Sequence, residues 1–329
     1  MTTGDGDAGG RLFPDDLDRV DPVAAVRFAD ARRAAAAYPE LVAVGPLFAP
    51  AERAGGGRAA REWRIVGACD PLPQGAREIL ADVLADRAAL TGLTPAEADA
   101  YRAAARRVRG CPADAPCDGF CDGTCSGSGT GSGDDPPDEV AAAGSRFRVV
   151  RIEQLVRTGL DGPEPPRPSD PDPRPHGLRP PAPRPWDVLR DDGPVPDAGA
   201  ADLLDRLREA AAPPGPADAY GTPVALAPMF TVAERCDGQW RPTGRLHELP
   251  GRARESLANY FRHIAPVLEH PDRTTLAEYA YAAALMDDGT RRNGIEVAGR
   301  RFRIVRLERI TLFGPDGPEP PRPGDPGVR

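Results

Sequence analysis

The chain contains no lysine; all 42 basic residues among its 329 are arginine. That single absence removes whole reaction classes. A phosphate-binding P-loop lysine, a Schiff-base lysine and the lysine that pairs nucleotide phosphates in kinases are all excluded. Phosphoryl transfer of the usual kinds and pyridoxal chemistry go with them. Histidine is nearly as scarce. The four are His176, in the proline-rich stretch, and His247, His263 and His270, all in the second of two copies of a repeated unit; the first copy has none. They form no H-E-x-x-H and no recognisable triad with a serine or cysteine, and read as surface or helix-end residues. His247-Glu248 is the one pair worth inspecting as a site.

Aromatic residues make up 5% of the chain, and no apolar run approaches bilayer length. The start, MTTGDGDAGG, has neither a basic patch nor an apolar core of the kind a signal peptide needs. These features predict a cytoplasmic protein with reduced thiols and no membrane partner. The formal charge is −8, but residues 111–139 carry seven carboxylates and no arginine, which leaves −8 − (−7) = −1 for the rest. A nearly neutral body argues against a nucleic-acid partner.

Six cysteines occur, with no C-x2-C pair, so zinc ribbons and thioredoxin-type motifs do not match. Cys111, Cys117, Cys121 and Cys125 are spaced C-x5-C-x3-C-x3-C. The last three suit a structural zinc site better than the first, and the three-residue gaps miss the common iron–sulfur runs. The cluster belongs to an insertion of 26 residues that the second half of the chain does without, followed by GSGTGSGDDPPDE. It therefore reads either as a zinc-binding cluster or as a thiol-bearing loop, with the loop preferred. Cys69 and Cys236 have no counterparts in each other's half and read as packing or surface thiols.

What the chain does have is a sequence written twice. SRFRVVRIEQLVRTGLDGPEPPRPSDPDP (145–173) returns as RRFRIVRLERITLFGPDGPEPPRPGDP (300–326), with Arg146 on Arg301 and Asp161 on Asp316, an offset of 155. Upstream, VAVGPLFAPAER (42–53) answers VALAPMFTVAER (224–235), and Trp63 answers Trp240. A duplicated unit sets the architecture before any residue is interpreted. The division it implies is a disordered N-terminus at 1–19, repeat unit 1 at 20–170 with its insertion at 111–139, a proline-rich linker at 171–196, and repeat unit 2 at 197–329.

Each unit reads α-β-β-α-α-β, an α+β class with two tandem pseudo-symmetric repeats, small antiparallel sheets and flanking helices. A helix is expected over 23–37, and again over 200–212. Leu80, Val83 and Leu84 fall on Leu257, Tyr260 and Phe261 at helical spacing. Thr94 with Glu97, and Thr275 with Glu278, read as capping boxes, and Gly110 and Gly289 as stops. Pro242 weakens the second tryptophan strand as a central one. In the closing strand, alternation slips between positions 149 and 150 and between 304 and 305, which predicts a β-bulge at that step.

The closing strands carry Arg146, Arg148 and Arg151, repeated by Arg301, Arg303 and Arg306. Such a ladder suits an anion or nucleic-acid face; the ordinary reading, which is preferred, is a solvent side neutralised by neighbouring carboxylates. The aromatic residues Phe147 and Phe302 are expected on the opposite face. Glu52-Arg53 and Glu234-Arg235 are expected to fix the tryptophans by ion pairs or cation–π contacts. After each strand comes Asp-Gly-Pro-Glu-Pro-Pro-Arg-Pro, a turn followed by polyproline II geometry. It is read either as a ligand for a proline-reading domain or, preferred, as a strap packed along its own unit.

The pairing of R-F-R-[VI]-V-R with DGPEPPRP resembles an uncharacterised actinobacterial family, domain of unknown function 5954, over most of the chain from about residue 20. The resemblance brings no activity, ligand or catalytic residue. Duplication without a catalytic signature predicts a non-enzymatic binding or regulatory protein, an internal pseudo-dimer with an unknown protein or small-molecule partner. The rivals are a cysteine-cluster metal or redox protein, and anion or nucleic-acid binding through the strand arginines.

Overall fold

The computed structural model describes residues 22–55, 62–111, 136–172, 188–190 and 220–327. The predicted N-terminal segment, three of the four clustered cysteines, most of the linker and the helix at 200–212 lie outside them. In chain order the elements are α1 (Pro22–Ala37), β1 (Glu40–Arg53), β2 (Glu62–Ile65), α2 (Pro73–Ala88), α3 (Pro95–Arg109), β3 (Glu139–Ala142), β4 (Ser145–Gly159), β5 (Gly162–Pro163), β6 (Val188–Arg190), β7 (Thr222–Cys236), β8 (Gln239–Pro242), α4 (Pro250–Asn259), a π-helical turn (Tyr260–Ile264), α5 (Ala265–Glu269), α6 (Arg273–Asp287), β9 (Gly294–Val297), β10 (Arg300–Gly314) and β11 (Gly317–Pro318).

Helix termini follow local chemistry. Thr94 caps α3 as a full capping box, and Gly110 ends it in the left-handed region. In the second half the cap shifts. Asp272, not Thr275, starts α6 and accepts from the Thr275 N–H at 2.8 Å. Glu278 is thereby freed to accept from the Ala298 N–H at 3.0 Å. The π turn precedes Pro266, which has no N–H and would collide with the carbonyl four residues back; widening the turn relieves both problems.

The strands form one antiparallel sheet, not two small ones. Its order is β6-β2-β1-β4-β10-β7-β8, with β3, β5, β9 and β11 added along β4 and β10. The two closing strands meet at its centre, with Glu308, Arg309 and Ile310 opposite Leu155, Gln154 and Glu153. Pro242 sits in β8, at the end of this order, where a missing ladder donor is tolerated.

No bulge occurs where the alternation slips. β4 pairs with β1 without a shift from Arg146 to Gln154, and the irregularity lies between Ala43 and Gly45 of β1. In β7 the corresponding break lies between Leu226 and Met229. The slip in the sequence has another cause: the strand keeps its period of two while the chemistry of each face inverts halfway along. Phe147 and Val149 face the helices with Leu80, Leu84, Tyr101 and Val108. Val150 and Ile152 point the other way, with Trp63, Ala49 and Ala51. Phe302 and Ile304 pack with Leu257, Phe261 and Met286, while Val305 and Leu307 pack with Val156 and Trp240. Beyond Val149 and Ile304 the helix side turns charged, with Arg151 and Glu153, and Arg306 and Glu308. There the proline straps take over from the helices.

Candidate functional site: two grooves filled by proline straps

Four of the seven residues in Gly162–Pro168 are proline, so the segment cannot pair as an ordinary strand. It must satisfy its backbone at a few points, and the glutamate supplies the main one. The Glu164 N–H donates to the Arg157 carbonyl at 2.8 Å, and the Glu164 carbonyl accepts from the Arg306 N–H at 2.9 Å. In the second strap, the Glu319 N–H donates to the Leu312 carbonyl, and its carbonyl accepts from the Arg151 N–H, both at 2.8 Å. Each strap thus bridges its own closing strand and the other one. It fills a gap in the edge of that second strand. On β4, Val149 donates to Asp138 beside β3, and pairing with β10 begins only at Glu153. The amide of Arg151 between them is met by the strap. The straps are therefore shared between the halves: each stays paired with its own closing strand and also covers the other one.

Side chains complete each groove. Arg148 donates to the Pro318 carbonyl at 2.8 Å and lies over Trp63, 5.2 Å from the ring centroid. Arg303 donates to the Pro163 carbonyl at 3.0 Å and lies over Trp240 at the same 5.2 Å. Arg151 grips both oxygens of Asp325 at 3.0 Å and pairs with Glu153. Arg306 grips Asp170 at 3.1 and 3.2 Å and pairs with Glu308. The strap arginines fold back on the strap glutamates, Arg167 to Glu164 and Arg322 to Glu319, both at 2.6 Å. Gly162 and Gly317 have φ of +103° and +115°, and a Cβ there would lie 2.3 Å from Trp240 Nε1 and 2.4 Å from Trp63 Nε1. Both the backbone conformation and the indole edge demand glycine.

The electrostatics follow from burial and pairing. Burial by itself would raise the Glu308 carboxyl, yet Arg306 and Arg167 beside it hold it below the ordinary value. Burial wins at Glu164, whose carboxyl is pushed up despite Arg167. Burial works against the charge of Arg306, but Glu308, Asp170 and Glu164 shift it further toward the charged form.

The two grooves differ in grip. Arg167 reaches Glu308 at 2.7 Å, whereas Arg322 stands 3.8 Å from Glu153. The first strap has further clamps: Ser169 donates to Asp30 at 2.9 Å, Asp172 pairs with Arg254, and its carbonyl accepts from Arg291 at 2.7 Å. Position 327, which answers Asp172, is glycine.

The six strand arginines do not form one free cationic face. Arg148, Arg151 and Arg306 are buried and bound to carboxylates or carbonyls. The half-exposed Arg146 pairs with Glu139, which also holds Arg148. Arg303 is half-buried, and exposed Arg301 lies 5.8 Å from the centroid of Trp240. The solvent-side expectation is corrected for four of the six: the opposite strap meets Arg148, Arg151, Arg303 and Arg306, while Arg146 and Arg301 stay at the surface. The tryptophans, expected to be fixed by Glu52-Arg53 and Glu234-Arg235, stand opposite Arg53 and Arg235 in the ladder and lie under Arg148 and Arg303. The two glutamates instead bind Arg87 at 2.6 Å and Arg300 at 2.7 Å. Sequence reasoning overlooked the strap acids Asp170 and Asp325, although they too recur at the 155 offset.

Of the clustered cysteines, Cys111 is half-buried at the end of α3, while Cys117, Cys121 and Cys125 lie outside the described residues. Among the described residues no group of three His, Cys, Asp or Glu could hold a metal. His247 pairs through its backbone with Phe230; burial lowers its pKa, and its Nε2 is buried without a hydrogen-bond partner. An open pocket of 420 Å³ lies between α6 and β9, lined by Glu278, Tyr281, Leu285 and Ile295. No described helix is long and apolar enough to cross a membrane.

A model of a family of unknown function, DUF5954, matches residues 21–327. The chain belongs to that family. No curated protein and no solved structure matches it. The DUF5954 match spans both closing strands and both straps, so the grooves lie within the family's own extent.

Proposed function

We propose that the protein is a non-enzymatic binding and regulatory protein built as an internal pseudo-dimer. Its two α+β repeats, 20–170 and 197–329, are joined by the linker at 171–196. The observation that carries this reading is the reciprocal strap. At the sheet centre Gln154 faces Arg309, its counterpart at the 155 offset, flanked by Glu153 with Ile310 and Leu155 with Glu308. Residue i meeting j while j meets i is the contact pattern of an isologous interface. Around it, charged groups that a catalyst would keep available are engaged in holding one half to the other. The reading is tested by inserting a protease site into the linker of the full chain and cutting it. The nicked halves are expected to co-elute as one particle in native gel filtration and to separate in denaturant. Separation under native conditions would refute the pseudo-dimer.

A further inference from the structure

We infer that the groove on β4 beside Trp63 is a peptide-recognition site. Its ligand class is an extended segment of the strap's own chemistry, Gly-Pro-Glu-Pro-Pro-Arg-Pro-x-Asp, presented in trans. The resident C-terminal strap, 317–327, acts as a displaceable occupant. This rests on the binding reading above and gives it a ligand.

Two features give the groove a recognition code. First, the same nine-residue pattern sits in two separate grooves of one molecule through the same contacts. Trp63 and Trp240 read the glycine, which must lack a side chain. Arg148 and Arg303 read the carbonyl of the following proline. The amides of Arg151 and Arg306 read the glutamate carbonyl, in the manner of a strand added to an open sheet edge. The guanidinium groups of Arg151 and Arg306 then read an aspartate six residues after the glutamate. Prolines between these points lower the ordering cost because polyproline II geometry is pre-formed. Second, among the described residues the two occupants are held unequally. The strap over β10 has the Asp172, Ser169 and Glu308 clamps. The strap over β4 has glycine where the other has Asp172, its Arg322 is 28% exposed against 7% for Arg167, and Arg322 stands 3.8 Å from Glu153 where Arg167 reaches Glu308 at 2.7 Å. The β4 groove is the one that opens.

In cis the strap competes at an effective concentration on the order of mM, so the intact chain masks its own site. Substituting Gly317→Ala clashes with Trp63 and strains the backbone, which loosens the occupant and leaves the groove unaltered. The experiment uses the full chain and a fluorescein-labelled peptide of residues 314–326. Gly317→Ala protein is expected to bind the peptide at least tenfold more tightly than wild type. Adding Arg151→Gln should abolish that gain, and a peptide carrying Gly317→Ala should not bind. In wild-type protein at millimolar peptide, hydrogen exchange at the Arg151 amide should slow, because peptide caps the grooves left empty whenever the strap opens. This second readout does not depend on the variant folding. Folded Gly317→Ala protein that ignores the peptide, together with unchanged Arg151 exchange, overturns the inference. Concentration-dependent dimers without peptide capture overturn it in favour of exchange between copies. Nicked halves that co-elute while peptide binding fails would sink this inference alone; halves that separate would sink the pseudo-dimer beneath it.

Discussion

Arg306 is the sharpest test of the shared straps. Its side chain is 7% exposed and its partners Asp170 and Glu308 are 6% and 16% exposed. Replacing it with methionine keeps much of the volume but leaves Asp170, Glu308 and Glu164 facing one another with Arg167 as the nearest remaining clamp. Removing one partner of a buried pair costs about 3–5 kcal/mol, chiefly because a charge stays buried without compensation. Exposed Arg301, by contrast, should cost no more than about 1 kcal/mol on replacement. Urea unfolding followed by circular dichroism measures both. The pH dependence separates lost charge from lost packing. Burial already raises the Glu164 carboxyl and works against the charge of Glu308, so removing Arg306 shifts these two buried carboxyls upward. Their contribution is then intact below the unfolded value and is lost as pH rises through the folded one. The gap between wild type and Arg306→Met is therefore expected to be widest near neutrality and to narrow as the pH falls toward 4. Adding Asp170→Asn should restore part of the loss, with a coupling of about 0.5–3 kcal/mol. A cost below about 1 kcal/mol, or a gap that does not change with pH, would refute the claim that this arginine holds the strap electrostatically.

Phe147 and Phe302 anchor the two helix-facing cores at 0% and 2% exposure, and truncating either to alanine should cost about 3–5 kcal/mol in the same unfolding assay. Glu139 is held below its ordinary 4.5 despite burial, by Arg146 and Arg148. Its contribution is present above that value and is lost as pH falls through the depressed folded value. The acid-induced fall in melting temperature should therefore be shallower in Glu139→Gln.

Much of the fold was legible because duplication and local periodicity are one-dimensional signals. The α3 capping box, the helical spacing of Leu80 and Leu84 and the burial of Phe147 and Val149 depend on neighbours a few residues away. The sharing of the straps was not legible, because nothing local says that Glu164 will bridge to the other closing strand as well as its own. The same blindness turned the break at Val149 and Val150 into an expected bulge. A sequence shows a change of polarity at that step but not that the layer above the strand changes there from helix to strap. The arginines were misplaced for the same reason. A run of alternating arginines looks solvated until the acids that meet them, from 136 and 174 residues away, are seen. In the second half, the Asp272 cap displaced the Thr275 reading because both residues offer a capping oxygen and spacing does not rank them.

The reciprocal straps also set an order on folding. Arg148 is separated from Pro318 by 170 residues, and Thr311 from Arg151 by 160. Contacts this distant in sequence close late and slow the search for the native state. At ribosomal rates of roughly 5–20 residues per second, a synthesis delay of about 8–34 s separates β4 from the strap that covers it. During that interval the Arg151 amide and the indole of Trp63 wait uncovered on a nascent chain. The last strap to be translated completes the first half of the molecule.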